Sequence, residues 1–163
     1  MDVLAAQVGA LLKSHGLLLA TAESCTGGGV AQAITEVAGS SAWFERGFVT
    51  YSNLSKQQML SVRETTLSQY GAVSEMTVRE MVAGALQHSA AQVALAVTGV
   101  AGPDGGTADK PVGTVWFAWG LKNGETRTQR YQLEGNRAEV RAQSVHIALQ
   151  GVLDLLNQLT EMA

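Results

Sequence analysis

The chain of 163 residues contains a single cysteine. It can therefore form neither an intrachain disulfide nor a cysteine-built metal cluster. It also lacks a surplus of positive charge. Its 11 Lys and Arg stand against 14 Asp and Glu, a formal net charge of −3, which argues against general affinity for nucleic acid or an anionic membrane surface. No apolar run is long enough to span a bilayer. The opening stretch "MDVLAAQVGALLKSHG" carries an acid at position 2 and a lysine at position 13. It reads as an amphipathic helix rather than a signal peptide, which calls for a basic start and an unbroken apolar segment. A cytoplasmic protein is expected. Internal repeats, low-complexity segments and linkers are absent too, so residues 1–163 are read as one domain.

What is present is a globular composition, 46% hydrophobic and 15% charged, with enough chain to bury a core without staples. Val3, Leu4, Val8, Leu11 and Leu12 fall at helix spacing within residues 2–15, and Gly16 follows as a stop. "LLLATA" (17–22) has the look of a buried strand, and "GGGVAQAITEVAG" (27–39) of a helix with a glycine-rich start. "GFVTYSN" (47–53) is read as a second strand, followed by two short helical pieces, 55–62 and 64–71. Ser74 is placed to cap a helix whose inward stripe is Val78, Met81, Val82, Ala85 and Leu86. "VALAVTG" (93–99) is a third buried strand. The glycine-rich segment 99–111 must be a loop, and "VGTVWFAWG" and "ETRTQRYQLEG" read as paired strands joined by a "KNG" turn.

A long final helix follows, capped reciprocally by Asn136 and Glu139, with Val145, Ala148, Val152, Leu155 and Leu159 as its core stripe. Strands alternating with helices, then a late hairpin, predict a three-layer α/β/α sandwich around a mixed, mostly parallel sheet.

Ligands of open α/β sheets bind beyond the carboxyl ends of the strands. Two unusual loops occupy such ends, "ESCTGG" after the first strand and "TGVAGPDGG" after the third. If these strands are parallel neighbours, both loops face one crevice. Thr26, Gly27 and Gly28 can supply backbone N–H groups to a phosphate or an oxyanion, or can simply let the helix pack closely on its strand. No lysine follows in P-loop register, and Rossmann spacing is missing.

Ser24 is either a helix cap or a nucleophile, and a serine nucleophile needs a base. His15 and His88 end helices and His146 lies within one, so none follows a loop that reaches Ser24. Lys56, in "TYSNLSK", is the other available base if burial strips its proton. Otherwise it is a solvated surface lysine. Tyr51 nearby can relay the proton or orient the serine. Cys25 is a rival nucleophile or a small buried residue, and adjacent side chains tend to point apart. Glu23 and Asp104 are acids near the site, read as members of structural salt bridges rather than as groups that tune Lys56. The aromatics Trp43, Phe44, Trp116 and Trp119 either mark an interface or fill the core.

"AESCTGG", "GFVTYSNLSK" and "AVTGVAGPDGGTADKPVGTVWFA" together resemble the CinA C-terminal family in its stand-alone form, over nearly the whole chain. Larger members carry a further, pyrophosphatase-like N-terminal domain, which a chain of this length is expected to lack. The resemblance implies hydrolysis of the amide of nicotinamide mononucleotide to nicotinate mononucleotide and ammonia, in pyridine nucleotide recycling. It implies a serine and lysine mechanism, with Ser24, Lys56 and Tyr51 as the catalytic group. Substrate contacts fall on Thr26, Gly27, Gly28, Thr98, Gly99 and Gly102. The family's arginine falls on Arg137, with Arg141 one turn later as the alternative. No metal or cofactor is required, since a side chain attacks the amide. A homo-oligomer is expected, as small α/β enzymes often self-associate.

Overall fold

The computed structural model describes residues 2–162. Helix α1 (Asp2–His15) leads into β1 (Leu19–Glu23), α2 (Gly29–Thr35) and β2 (Phe44–Val49). Three helices follow, α3 (Asn53–Leu60), α4 (Glu64–Tyr70) and α5 (Glu75–Gln87), and then β3 (Val93–Gly99). The hairpin β4 (Thr114–Leu121) and β5 (Thr126–Gln132) precedes α6 (Arg137–Met162). The sheet order is β2-β1-β3-β4-β5. β1 pairs in parallel with β2 and β3, and the β3–β4 and β4–β5 pairs are antiparallel, so β4 alone runs against the rest. The expected mixed, mostly parallel sheet is present, with helices on both faces.

Strand alternation divides the core in two. Leu19, Val93, Leu95, Val97, Val115, Phe117 and Trp119 face one way and pack with residues of α1, α2 and α6 such as Val8, Leu12, Ile34, Leu149 and Leu156. Ala20, Ala22, Ala94, Ala96 and Ala118 face the other way. This second face is made of small side chains, so α5 settles close to the sheet through Val78, Met81, Val82 and Ala85. Gly84 extends that closeness outward, because a methyl group there would collide with the Leu60 carbonyl at the end of α3. Trp43 and Trp119 are buried and fill the core; they do not form a surface patch.

Both expected caps form. Ser74 Oγ accepts from the Thr77 N–H at 3.2 Å. Asn136 Oδ1 accepts from Glu139 N–H while Glu139 Oε1 accepts from Asn136 N–H, each at 2.9 Å.

Three local readings need correction. The second strand begins at Phe44 and ends at Val49, three to four residues earlier than expected. Gly47 therefore lies inside it, where the Thr21 hydroxyl occupies the space a side chain would need. The helix expected over 27–39 ends at Thr35, and Gly39, with φ 83°, starts a short 3₁₀ turn, Ser40–Ala42. Val3, expected in the inward stripe of α1, is 72% exposed, and Leu4, Ala5, Val8 and Leu12 carry that stripe.

Candidate active site

β1 and β3 are parallel neighbours, with Glu23 paired to Val97 at their carboxyl ends. The Ser24 N–H continues this pairing by donating to the Val97 carbonyl at 3.0 Å. The chain leaves β1 toward β2 on one side and returns as β3 on the other, so a crevice opens between the two strand ends. Ser24 and Cys25 line a cavity of about 320 Å³ there. Thr98 to Gly102, Asp104 and Gly105 form a second wall, Tyr51, Asn53 and Lys56 a third, and Ala72, Val73 and Arg137 complete it.

At the floor, Lys56 Nζ lies 3.0 Å from Ser24 Oγ and 2.9 Å from the Thr50 carbonyl. Local sequence explains why it points inward. Ser52 and Ser55 form a capping box at the start of α3, which places Lys56 on the first turn facing the sheet. The lysine is 1% exposed. Among the described residues no carboxylate pairs with it. Burial accordingly holds its amine below the ordinary lysine range, and the nearby Cys25 sulfur opposes that only in part. A neutral amine has two donors and one lone pair. It can donate to the Thr50 carbonyl and accept the Ser24 hydroxyl proton, which satisfies this geometry without a buried charge.

Cys25 points into the core shared by α1, α2 and α6. Burial pushes its thiol up to about 12, so almost no thiolate exists near neutral pH. Adjacent side chains do point apart here, with the hydroxyl on the lysine and the thiol among apolar neighbours.

Among the described residues Glu23 forms no salt bridge, contrary to expectation. Its buried carboxylate accepts from Thr26 Oγ1 at 2.6 Å, Val30 N–H at 2.8 Å and Ala31 N–H at 3.0 Å. An internal anion thus already occupies the amino end of α2. Asp104 lines the cavity and likewise forms no ion pair among the described residues.

Tyr51 is 62% exposed and lies in the connection between β2 and α3. Its hydroxyl meets Arg137 Nη2 at 3.0 Å, and Arg137 Nη1 donates to the Gly102 carbonyl at 2.8 Å. The expected alignment of Ser24 and Lys56 by Tyr51 has no hydrogen bond behind it; the tyrosine holds the arginine instead. Thr98 is buried and donates to the Ala72 carbonyl at 2.9 Å, tying the two walls together. Gly99 and Gly102 both abut the β4 approach, and a side chain on Gly102, whose φ is 85°, would strike Val112.

Thr26, Gly27 and Gly28 do not line the cavity. Nor does Arg141, which donates to the Cys25 and Thr26 carbonyls at 3.1 and 3.3 Å. The three histidines lie elsewhere. His15 meets Thr160, His88 meets Ser61, and His146 borders a separate hollow under β5. Sequence reasoning missed the Thr50 carbonyl and the Ala72–Val73 wall. A backbone acceptor and two small apolar residues leave no chemical signature in a sequence.

A family model described as the CinA C-terminal domain matches residues 1–156. A protein of Escherichia coli K12 named nicotinamide-nucleotide amidohydrolase PncC is 58% identical over 147 residues, 90% of this chain and 89% of its own length. One of the same name from Pseudomonas putida is 53% identical over 155 residues, 95% of this chain and 96% of its own. The crystal structure of competence/damage inducible protein CihA from Agrobacterium tumefaciens superposes with a TM-score of 0.92 at 46% identity. It covers 96% of this chain and 94% of that one.

Proposed function

Because this chain belongs to the CinA C-terminal domain family, we propose that it hydrolyses the carboxamide of nicotinamide mononucleotide to nicotinate mononucleotide and ammonia, recycling pyridine nucleotides. It is an amidohydrolase, as its high-identity relatives are named. The observation that carries the mechanism is the buried contact of 3.0 Å between Lys56 Nζ and Ser24 Oγ at the floor of the cavity.

Lys56, as a neutral amine, takes the proton from the Ser24 hydroxyl while Oγ attacks the carboxamide carbon. The tetrahedral oxyanion is received by a backbone N–H of the loop after β1, where Cys25 lines the cavity. Donors of this kind are worth ~3–4 kcal/mol each in well-studied hydrolases. The Lys56 ammonium then gives its proton to the departing amide nitrogen. Ammonia leaves, and nicotinate mononucleotide remains esterified to Ser24. Water, deprotonated by the same amine, attacks the ester, releasing the carboxylate and restoring the serine. No step calls on a thiolate or a histidine.

Arg137 is the cation at the cavity wall. Held by Tyr51 and the Gly102 carbonyl, it is set to take the 5′-phosphate through a forked, charge-assisted contact. Thr98 and the glycines of the 99–106 loop give the wall its shape.

The test is ammonia release by the wild-type protein from nicotinamide mononucleotide, nicotinamide riboside and the dinucleotide in parallel. The mononucleotide should be much the best substrate. Release from none of the three would mark a nucleotide-binding module without catalysis, and preference for the dinucleotide would reassign the substrate.

A further inference from the structure

Arg141 ties the loop after β1 to α6. Its guanidinium donates from Nε to the Cys25 carbonyl at 3.1 Å and from Nη2 to the Thr26 carbonyl at 3.3 Å. It lies 115 to 116 residues from them in sequence, on the second turn of α6. It packs so closely that a side chain on Gly27 would come within 3.4 Å of Nη2.

The N–H groups of this loop can be accounted for one at a time. Ser24 N–H goes to Val97, Gly27 N–H to the Ser24 carbonyl, and Gly29 N–H to the Thr26 carbonyl. Val30 and Ala31 N–H go to Glu23. Among the described residues, no acceptor takes the Cys25, Thr26 or Gly28 N–H, and of these three residues only Cys25 lines the cavity. In a trans peptide the C=O and the following N–H point in opposite directions. Holding the Cys25 carbonyl toward α6 therefore turns the Thr26 N–H away from α6. Holding the Thr26 carbonyl fixes the next plane, whose N–H is already spent on Ser24. Cys25 itself lines the cavity, and Arg141 does not.

We propose that Arg141 is a positioning residue: by holding the Cys25 and Thr26 carbonyls it fixes the loop segment from which the Cys25 N–H is presented to the oxyanion, and it is not a ligand of the substrate's phosphate. This rests on Ser24 being the nucleophile. It places the oxyanion donor at Cys25, ahead of the Thr26–Gly28 run, whose residues do not line the cavity. It also separates two arginines that share one helix: Arg137 contacts substrate, and Arg141 holds the backbone that contacts the reacting carbonyl.

The two roles differ in which kinetic constant they move. An oxyanion interaction is made in the transition state and a phosphate contact is made in both states. Arg141→Ala, assayed well below its melting temperature with nicotinamide mononucleotide, should lose roughly 10- to 100-fold in kcat. Its KM, and its inhibition constant for inorganic phosphate, should stay within about twofold. Arg141→Lys, keeping one donor, should regain part of kcat. A merely structural arginine would lower the melting temperature and leave kcat of the folded fraction alone. A KM rise of about tenfold or more with kcat retained would overturn the proposal, as would an unchanged kcat. Should the alanine variant not fold, Arg141→Lys decides alone: wild-type kcat in it overturns the proposal. Ser24→Ala run beside them tests the premise separately, since an active Ser24→Ala removes the oxyanion argument whatever Arg141 does.

Discussion

Lys56 Nζ and Ser24 Oγ meet at 3.0 Å across 32 residues of sequence, in a site where the lysine is 1% exposed and has no carboxylate partner among the described residues. The contact makes the pair a base and a nucleophile only if the lysine is neutral. Burial works in that direction.

The pH dependence follows with a definite sign. The neutral amine is the active form, so kcat/KM should rise tenfold per pH unit below the lowered Lys56 pKa and level off above it. Stability carries the same signature. Between the folded-state value and the ordinary value of 10.5 the unfolded chain binds the extra proton, so stability rises with pH across that window. Below both values the lysine is charged in either state and its contribution no longer changes. Lys56→Met should abolish activity and flatten the stability curve in that window. Equilibrium unfolding of both proteins at several pH values checks it, and equal slopes would refute the assigned burial effect.

Cys25 should be silent. With its thiol pushed up to about 12 and buried, iodoacetamide at pH 8 should modify it only after denaturation. Cys25→Ala should keep kcat within about threefold, since it removes one small packed atom and no proton carrier. Mass spectrometry after native alkylation reads the first outcome and the ammonia assay the second.

Arg137→Ala should raise KM for the mononucleotide by roughly 10- to 100-fold, the worth of about 1.5–3 kcal/mol for hydrogen bonds to a charged group. Its kcat should hold. Tyr51→Phe removes only the hydroxyl that steadies Arg137 at 3.0 Å, so KM should rise less, by about two- to fivefold. The riboside, lacking phosphate, should be insensitive to both changes. Steady-state kinetics on the two substrates distinguishes this from a proton-relay role for Tyr51, which would lower kcat on both.

Gly84→Ala should be costly although it lies far from the chemistry in sequence. The added methyl meets the Leu60 backbone carbonyl at the end of α3, and backbone cannot yield as a side chain can. Overpacking of this kind costs ~1–3 kcal/mol. The strain falls on the helix that carries Lys56, so kcat should fall along with the melting temperature. A fully active variant of unchanged melting temperature would mean that α3 is free to shift.

Layer by layer, legibility followed the physical range of the signal. Helix stripes and caps depend on neighbours within one turn, and Val78, Met81, Val82, Ala85 and the Asn136–Glu139 box were readable as they stand. The crevice was readable because buried apolar runs ending in glycine loops imply parallel strands. β2 starts earlier than expected because Gly47, read as its first residue, lies inside the strand, where its missing side chain makes room for Thr21. Which partner each polar group takes was beyond reach. Nothing local says that Glu23 turns to the α2 amides, that Tyr51 holds Arg137, or that Arg141 reaches the carbonyls of Cys25 and Thr26. The last two of those choices depend on where α6 places Arg137 and Arg141.

The most direct measurement is ammonia release from nicotinamide mononucleotide by the wild-type protein and by Ser24→Ala at equal enzyme concentration. Wild type should release ammonia stoichiometrically with nicotinate mononucleotide. Ser24→Ala should lose at least about 10³-fold in kcat, as removal of a nucleophile does, while still binding the mononucleotide. Turnover by Ser24→Ala at a rate near wild type would contradict the serine and lysine account.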